Sequence, residues 1–299
     1  MLKHVKKVKE KIDFFYANNR HKTIDTMFNI ETYLDSLPEN TEEINVSRRC
    51  ISYLDVTKFK NLKILYCEYN QLTSLQLNKN LEKLYCYYNQ LTSLHLNDNL
   101  QLLYCSHNEL SSLQLNKNLL TLDCDYNHLT SLHLNKNLLT LNCNHNQLAS
   151  LQLNENLEKL YCAFNKLTSL QLNEQLETLY CTNNQFTSLH LNKKLNKLHC
   201  TNNHLISLHL NEQLELLHCS NNPICEIIIS DDIQIITQKL RVLNQFRYFY
   251  YSLKYKKRFR DWLWVKIREP KIRERYSHNY LVEHLHEDTD LDDLLENWI

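Results

Sequence analysis

Cysteine is the residue type whose spacing in this sequence most clearly invites chemistry. The chain has 11 cysteines, and nine of them recur at a constant interval of 19 residues. These nine are Cys67, Cys86, Cys105, Cys124, Cys143, Cys162, Cys181, Cys200 and Cys219. Thiols at regular spacing could form disulfides, bind a metal ion or act as nucleophiles. Each of these chemistries requires partners that the spacing must bring together.

The spacing favours packing over all three chemistries. Disulfides are disfavoured because an intracellular chain keeps thiols reduced, and because equivalent side chains of adjacent repeats run parallel to each other. Metal binding needs convergent ligands at short spacing, which 18 intervening residues do not offer. Cys50 and Cys225 fall outside the series and have no His or Asp context that suggests a nucleophile. We therefore predict buried thiols that act as small hydrophobic side chains, and no bound metal.

The 15 histidines also lack the arrangement of a catalytic or metal site. His95, His133, His190 and His209 alternate with glutamines in one outward position of the repeat, which indicates a solvated edge. No paired carboxylates and no Ser/His/Asp set would come together, and the absence of glycine excludes a P-loop or dinucleotide fingerprint. We predict no catalytic residue, no cofactor and no enzymatic activity.

A 19-residue repeat positions all of these residues. Nine units run from Leu62 to Asp232 with the pattern L-x-x-L-x-C-x-x-N-x-L-x-S-L-x-L-N-x-N. A fixed short period predicts a solenoid, in which each unit buries its apolar side chains only by stacking on its neighbours. At about 4.8 Å per unit, the stack would be roughly 43 Å long.

The segment L-x-x-L-x-C-x-x-N-x-L resembles the leucine-rich repeat signature, in the cysteine-containing form of internalin-type proteins. The resemblance covers residues 62–232. It implies an α/β repeat protein: a leucine-rich repeat solenoid of mostly short parallel strands, with extended or tight-turn return segments and helical N- and C-terminal caps. The strand would be Leu65-Tyr66-Cys67 and its equivalents, with Leu65 and Cys67 pointing inward and Tyr66 outward.

Asparagine fills the ninth position of every unit, from Asn70 to Asn222. Its amide can bond to backbone groups of its own turn and of the next unit, and losing it would leave buried polar groups unsatisfied. Asparagine also tolerates left-handed backbone better than most non-glycine residues. We therefore expect it to let these turns form without glycine.

The candidate binding face consists of the outward positions beside each strand, where the units differ from one another. Tyrosines flank a polar, acidic centre there, and tyrosine is enriched at protein interfaces. The alternative is that stacked tyrosines only stabilise the sheet through cross-strand pairs. The predicted partner-binding residues are Tyr66, Tyr85, Tyr87, Tyr104, Asp123, Asp125, Asn142, Tyr161, Tyr180, His199 and His218.

Four segments follow from the pattern. We predict an N-terminal helical arm or cap over 1–40, a degenerate first repeat over 41–61, the nine repeats over 62–232, and a C-terminal helical capping subdomain over 233–299. In the degenerate repeat, Arg49 replaces the ninth-position asparagine.

The C-terminal segment is basic over 239–275 and acidic over 276–299. Only the basic part, with its interleaved aromatic residues, has a composition suited to nucleic acid, and we favour a capping role because the acidic tail can neutralise it. Residues 262–298, together with the repeats, resemble the closing part of leucine-rich repeat proteins of giant DNA viruses. That resemblance implies that the protein is located in the cytoplasm of a host cell.

The chain as a whole carries no signal that names its partner. Its 34 Lys and Arg balance its 34 Asp and Glu, and no stretch has the length and hydropathy of a signal peptide or transmembrane segment. We predict an intracellular, non-enzymatic scaffold that binds a protein. One alternative is a substrate-recognition adaptor of a larger complex such as a ubiquitin ligase, and a last-ranked one is an enzyme in the C-terminal segment. Partner identity and oligomeric state are left open.

Overall fold

The computed structural model describes residues 28–224, together with 235, 236, 238–242, 244 and 256. Most of the predicted N-terminal arm lies outside the described residues, as do most of the C-terminal cap, most of the basic stretch within 239–275, and Cys225. The chain separates into two compact units, Met1–Ile233 and Gln234–Ile299. The described residues of the second unit are helical, and Ile236 and Leu240, one turn apart, are both buried.

A short helix, α1 (Ile30–Ser36), precedes the repeats. It begins at Asn29, whose side chain accepts a hydrogen bond from the backbone N–H of Thr32, as expected of an N-cap. It ends at Ser36, and the C-cap residue Leu37 is extended because the following Pro38 disfavours helical backbone before it.

Fourteen three-residue strands follow in the described part of the chain. They are β1 (Glu43–Asn45), β2 (Tyr53–Asp55), β3 (Ile64–Tyr66), β4 (Ser74–Gln76), β5 (Lys83–Tyr85), β6 (Leu102–Tyr104), β7 (Thr121–Asp123), β8 (Thr140–Asn142), β9 (Lys159–Tyr161), β10 (Thr178–Tyr180), β11 (Ser188–His190), β12 (Lys197–His199), β13 (Ser207–His209) and β14 (Leu216–His218).

Ten of these strands form one parallel sheet in the order β1-β3-β5-β6-β7-β8-β9-β10-β12-β14. The pairing keeps equivalent positions side by side, so that Leu65 pairs with Leu84 and Tyr66 with Tyr85. The predicted solenoid of short parallel strands is therefore confirmed. Each strand starts one residue earlier than predicted and ends before the cysteine, although the N–H of Cys67 still donates to the carbonyl of Tyr85 at 2.9 Å.

The segment predicted as a degenerate first repeat contributes the first rung of the sheet. Its strand β1 pairs with β3, with Ile44 opposite Leu65. Ile44 and Val46 are completely or almost completely buried and take the places of leucine and cysteine. Two inward β-branched side chains thus start the core that the nine repeats continue.

The core is a set of leucine rows with one row of thiols. In each complete repeat the leucine of the first position, the leucine of the fourth and the cysteine of the sixth point inward, and most of them have no exposed surface. The predicted inward orientation of the cysteines is confirmed. Burial also raises the pKa of the eight thiols from Cys67 to Cys200, to about 12 for Cys162, so these thiols stay protonated.

The ninth-position asparagines bind the rungs to one another. The amide of Asn146 donates to the carbonyls of Cys124 at 3.0 Å and Cys143 at 3.3 Å, and its oxygen accepts from the N–H of Leu129 at 2.9 Å. These contacts agree with the predicted amide ladder. The expected left-handed backbone at these asparagines is wrong, because the residue before each of them carries the positive φ.

The return side of each rung is extended. Two short parallel pairs occur there among the described residues, β2 with β4 and β11 with β13. A second row of asparagines links neighbouring rungs on this side. For example, the side-chain amide of Asn154 donates to the backbone carbonyls of Asn135 and Leu138 in the preceding rung. In the described part of the chain, no helix has the length and hydropathy needed to cross a bilayer.

Candidate partner-binding face

The outward residues at the fifth position of each repeat form a continuous column along the sheet. Strand register brings them together, since every fifth-position residue pairs with its equivalent in the next rung. We call this set the fifth-position column: Tyr66, Tyr85, Tyr104, Asp123, Asn142, Tyr161, Tyr180, His199 and His218.

Aromatic rings stack at both ends of this column. Near its start, the ring centroids of Tyr66 and Tyr85 are 4.7 Å apart and those of Tyr85 and Tyr104 are 5.3 Å apart. Near its end, Tyr180 and His199 stack at 4.0 Å. These rings are half-buried, so each presents an edge to solvent while its faces contact its neighbours. Burial and the neighbouring tyrosines Tyr66 and Tyr104 raise the pKa of Tyr85.

The centre of the column is polar. The amide of Asn142 donates to a carboxylate oxygen of Asp123 at 3.2 Å, and the backbone N–H of Asp125 donates to the same oxygen at 3.1 Å. Burial raises the pKa of Asp123, and the two hydrogen bonds limit that rise. Two aromatic stacks are therefore separated by an acidic gap.

Asp125 is the most perturbed acid on this face. Burial, followed by the charge of Asp123, raises its pKa to about 7. Its Oδ1 atom is buried and has no hydrogen-bond partner among the described residues. An ionised, half-satisfied carboxylate is costly unless a cationic group pairs with it, so the site favours a cation.

All 11 residues predicted to bind a partner lie on the strand side. Nine of them make up the fifth-position column, and the other two, Tyr87 and Asp125, occupy the seventh position. Tyr87 does not join the fifth-position stack. It contacts the rings of Tyr69 at 5.4 Å and Tyr88 at 6.1 Å, both at a steep angle.

Those two tyrosines belong to a second column that the sequence analysis missed. It is formed by the eighth-position residues, which directly precede the ladder asparagines. We call it the eighth-position column: Tyr69, Tyr88, His107, Tyr126, His145, Phe164, Asn183, Asn202 and Asn221. The signal was visible in the sequence, since the first six members are aromatic. Strand alternation does not place these residues, because the left-handed turn lies at the eighth position and not at the asparagine that follows.

Successive aromatic members of the second column stack nearly in parallel. The centroid distances are 4.7 Å for Tyr69–Tyr88, 4.0 Å for Tyr88–His107, 4.3 Å for His107–Tyr126, 3.9 Å for Tyr126–His145 and 4.1 Å for His145–Phe164. Burial, and then the neighbouring His145, lowers the pKa of His107 to about 4. The imidazoles are therefore neutral members of the stack at physiological pH.

Every residue of the second column has a left-handed backbone. Its φ angles lie between 48° at His145 and 56° at Tyr69. This region is uncommon for non-glycine residues and costs most for bulky ones, whereas asparagine is enriched there. The last three rungs use asparagine, and the first six use aromatic rings at a conformational cost. Stacking offsets part of that cost.

The second column is also closed at its start. The guanidinium carbon of Arg48 lies 4.3 Å from the centroid of the Tyr69 ring, a cation–π contact. At the other end, the amide of Asn202 donates to Asn183 and that of Asn221 donates to Asn202. The column thus consists of an aromatic stack from Tyr69 to Phe164 and a hydrogen-bonded amide row from Asn183 to Asn221.

Between the two columns runs a row of mostly small, polar seventh-position residues. We call this row the groove. It consists of Glu68, Tyr87, Ser106, Asp125, Asn144, Ala163, Thr182, Thr201 and Ser220. From Ser106 onward these side chains are shorter than the rings that flank them, so the groove has a polar floor. Its walls are aromatic in part: Asp123 and Asn142 interrupt the fifth-position column, and the eighth-position column ends in asparagines.

The titratable side chains of this face lie in rows along the stack. Among the residues that the structure describes, no group of three or more His, Cys, Asp or Glu side chains is placed to hold a metal ion. His199 and His218 stack with centroids 4.3 Å apart, as ring neighbours of the column. The ladder thiols are buried, and burial raises the pKa of the eight from Cys67 to Cys200.

Comparison with solved structures identifies the fold as a leucine-rich repeat solenoid. YopM from Yersinia enterocolitica aligns with 29% identity and a TM-score of 0.55, over 62% of this chain and 48% of its own. The functional domain of InlJ from Listeria monocytogenes, which includes a cysteine ladder, aligns with 28% identity and a TM-score of 0.56, over 67% of this chain and 52% of its own. This chain thus matches about half the length of either protein.

A third neighbour supports the fold alone. YopM of Yersinia pestis, a leucine-rich effector protein, has 24% identity and a TM-score of 0.56, over 72% of this chain and 71% of its own. No family model and no curated protein sequence matches this chain. The resemblance of residues 262–298 to giant-virus proteins is not tested by these neighbours and stays a prediction.

Proposed function

We propose that this protein is a non-enzymatic scaffold that binds a partner protein across its strand side. The observation that carries the proposal is the pair of aromatic columns on one side of a rigid sheet. Leucine-rich repeat folds typically serve as protein-interaction modules, and the neighbouring structures share that fold.

The anchors of the proposed interface are the stacked tyrosines of the first rungs. Tyr66, Tyr85 and Tyr104 are half-buried and fixed by one another, so binding would order few additional side chains. Large rings with a hydroxyl at the edge combine apolar contact area with hydrogen bonding, and such residues dominate interface energies. Tyr161, Tyr180, His199 and His218 extend the face beyond the acidic gap.

Asp123 and Asp125 would select the charge of the partner. No Lys or Arg occupies the fifth or seventh position in any of the nine repeats. The third-position lysines Lys83, Lys159 and Lys197 are exposed and lie on the other side of the fifth-position column. The two rungs around the acidic centre have Thr121 and Thr140 there instead. A basic or polar partner surface fits this arrangement best.

A quantitative pull-down with the full chain tests the proposal. We expect Tyr85→Ala combined with Tyr104→Ala to reduce recovery of partners enriched on the wild-type protein by at least about tenfold. Two hot-spot tyrosines each contribute roughly 1–2 kcal/mol or more. Circular dichroism and thermal melting must show that the variant is folded.

Tyr53→Ala supplies the matched control. Tyr53 is 53% exposed and lies in β2 on the return side, away from both columns. We expect its substitution to leave partner recovery unchanged. If the double variant recovers the same proteins in the same amounts as wild type, the strand side is not the interface.

The adaptor alternative would add a docking module at one end of the solenoid. The segments in which it would lie, 1–40 and 233–299, are largely outside the described residues. The strand-side substitutions apply to that role as well, because an adaptor would still select its substrate with the repeats.

A further inference from the structure

Two acids in the groove each have an oxygen atom that the protein leaves unsatisfied. Glu68 Oε2 and Asp125 Oδ1 are buried and without hydrogen-bond partners among the described residues. Both residues occupy the seventh position, three rungs apart. A buried carboxylate oxygen without a donor costs free energy in the unbound protein. Glu68 and Asp125 are only partly buried as residues, so a basic group from outside can pair with the carboxylate and offset that cost.

Glu68 lies within a cluster of tyrosines. Its charge contributes to the raised pKa of Tyr85 and of Tyr87, although burial is the larger cause for both. Tyr66 lies two residues before Glu68 on the strand side, and Tyr69 follows Glu68 directly. The faces of these rings are covered by one another and, at Tyr69, by Arg48, so the Glu68 carboxylate is the group that would attract an external cation here.

Asp125 has a comparable setting three rungs further on. It lies between the columns, close to Tyr126, whose pKa is raised by burial and then by the Asp125 charge. Asp123 contributes a second negative charge at the same place. The buried thiols of Cys124 and Cys143 also feel the charge of Asp125, and Tyr104, His107 and His145 occupy neighbouring outward positions.

We propose that the groove binds an extended basic segment of the partner protein, with one basic side chain paired to Glu68 and a second to Asp125. This inference rests on the proposed function and gives it a chemical class of partner. The segment runs along the stack, across the strands, between the fifth- and eighth-position columns, and it passes over Tyr87 on the way from Glu68 to Asp125. Its own apolar side chains contact the ring edges of the columns.

The rung spacing fixes the interval between the two basic residues. Three rungs at about 4.8 Å separate the acids by about 14 Å, and an extended chain advances about 3.4 Å per residue. Four residues therefore cover the distance. The groove selects Lys or Arg pairs at positions i and i+4 of an extended segment.

Selection from a phage-displayed library of random dodecapeptides on the folded full chain tests the inference. We expect the enriched sequences to contain Lys or Arg pairs separated by four residues. Labelled synthetic copies, measured by fluorescence anisotropy, should bind at least about tenfold more weakly when one basic residue is moved two positions along the peptide, a loss of about 1.4 kcal/mol.

The protein variants complete the experiment. Glu68→Gln combined with Asp125→Asn should weaken the selected peptides by at least about tenfold and abolish their spacing preference. Glu155→Gln combined with Glu174→Gln, two exposed acids of the return side, should change neither. Because the substitutions are isosteric, thermal melting should confirm folded protein in each case.

The outcomes separate this inference from the proposed function. Peptides that depend on Tyr85 and Tyr104 but not on Glu68 and Asp125 would overturn the charge-pair interval and leave a strand-side interface in place. Enriched peptides without a basic pair, or no enrichment above a blank surface, would also overturn the inference. Partner recovery by the tyrosine variant in the pull-down decides the proposed function independently.

Discussion

The strand side and the return side of the solenoid are made by the same repeat and differ in what they present. The strand side carries the ten-stranded sheet and two stacked columns, and its outward positions vary from rung to rung. The return side carries only two short strand pairs among the described residues. In the first eight repeats its fifteenth position is an exposed glutamine or histidine: Gln76, His95, Gln114, His133, Gln152, Gln171, His190 and His209.

This difference teaches where the chain concentrates conformational cost. The return side uses small or polar side chains in solvent and needs no left-handed residue in its described turns. The strand side places bulky rings on left-handed backbone at the end of each strand in the first six repeats. Strain of this kind persists where the surroundings enforce it, and it is concentrated at functional surfaces.

The largest expected effect compares the asparagines of the two sides. Asn146→Ala removes an amide that bonds to the carbonyls of Cys124, Cys143 and Asn144 and to the N–H of Leu129. We expect a loss of about 3 kcal/mol in the free energy of unfolding, because several buried backbone groups lose their partner. Chemical denaturation measures it.

Asn137→Ala is the control for that prediction. Asn137 is exposed on the return side, and its amide donates to the carbonyl of Lys117 at 2.8 Å. Water can replace this bond, so we expect a loss of less than about 1 kcal/mol. Equal losses for the two variants would contradict the proposed role of the buried ladder.

A smaller effect separates shape from stacking in the eighth-position column. Tyr126 has a φ of 50° and stacks between His107 and His145. Tyr126→Val introduces a β-branched residue into left-handed backbone and removes both stacks, and we expect it to cost about 2 kcal/mol. Tyr126→Asn also removes the stacks but adopts this conformation readily, so we expect it to cost less than about 1 kcal/mol. Urea denaturation of both variants distinguishes the two terms, and equal costs would show that backbone conformation contributes nothing.

The smallest expected effect depends on pH and concerns the groove alone. The pKa of Asp125 rises from an ordinary value of 3.8 to about 7 on folding, so the unfolded chain releases the proton first. This group therefore favours the folded state fully below about pH 4, and that contribution is lost as the pH rises through 7. We expect Asp125→Asn to be more stable than wild type by about 1–2 kcal/mol at pH 8, after allowance for partial solvent exposure. Thermal melting at pH 4 should show no such gain.

Most of the fold was predictable because the residue types and the constant length of the repeat specify it. Leucine at the first and fourth positions and cysteine at the sixth define the inward side of a short strand, and a constant interval requires that equivalent residues pair. The predicted strand Leu65-Tyr66-Cys67 is shifted by one residue from the observed strand Ile64–Tyr66. Cys67 still donates a backbone hydrogen bond to the next rung, but it lies just beyond the end of the strand.

The candidate site was predictable only in part. Alternation along the strand was sufficient to place Tyr66 and its equivalents outward. It could not place Tyr69 or Phe164, because a left-handed residue ends the alternation and turns the next side chains in a new direction. The unsatisfied oxygens of Glu68 and Asp125 depend on what surrounds them in three dimensions, which single positions in a sequence do not specify.

Because the rungs stack in register, the distance between two equivalent residues is set by the number of rungs between them. Deleting or duplicating one 19-residue unit between Glu68 and Asp125 would leave every remaining contact between rungs of the same kind. It would change the separation of the two acids by the height of one rung, about 4.8 Å. Unequal recombination between near-identical coding units could therefore change the spacing of basic residues that the groove selects in a single step, without any amino-acid substitution.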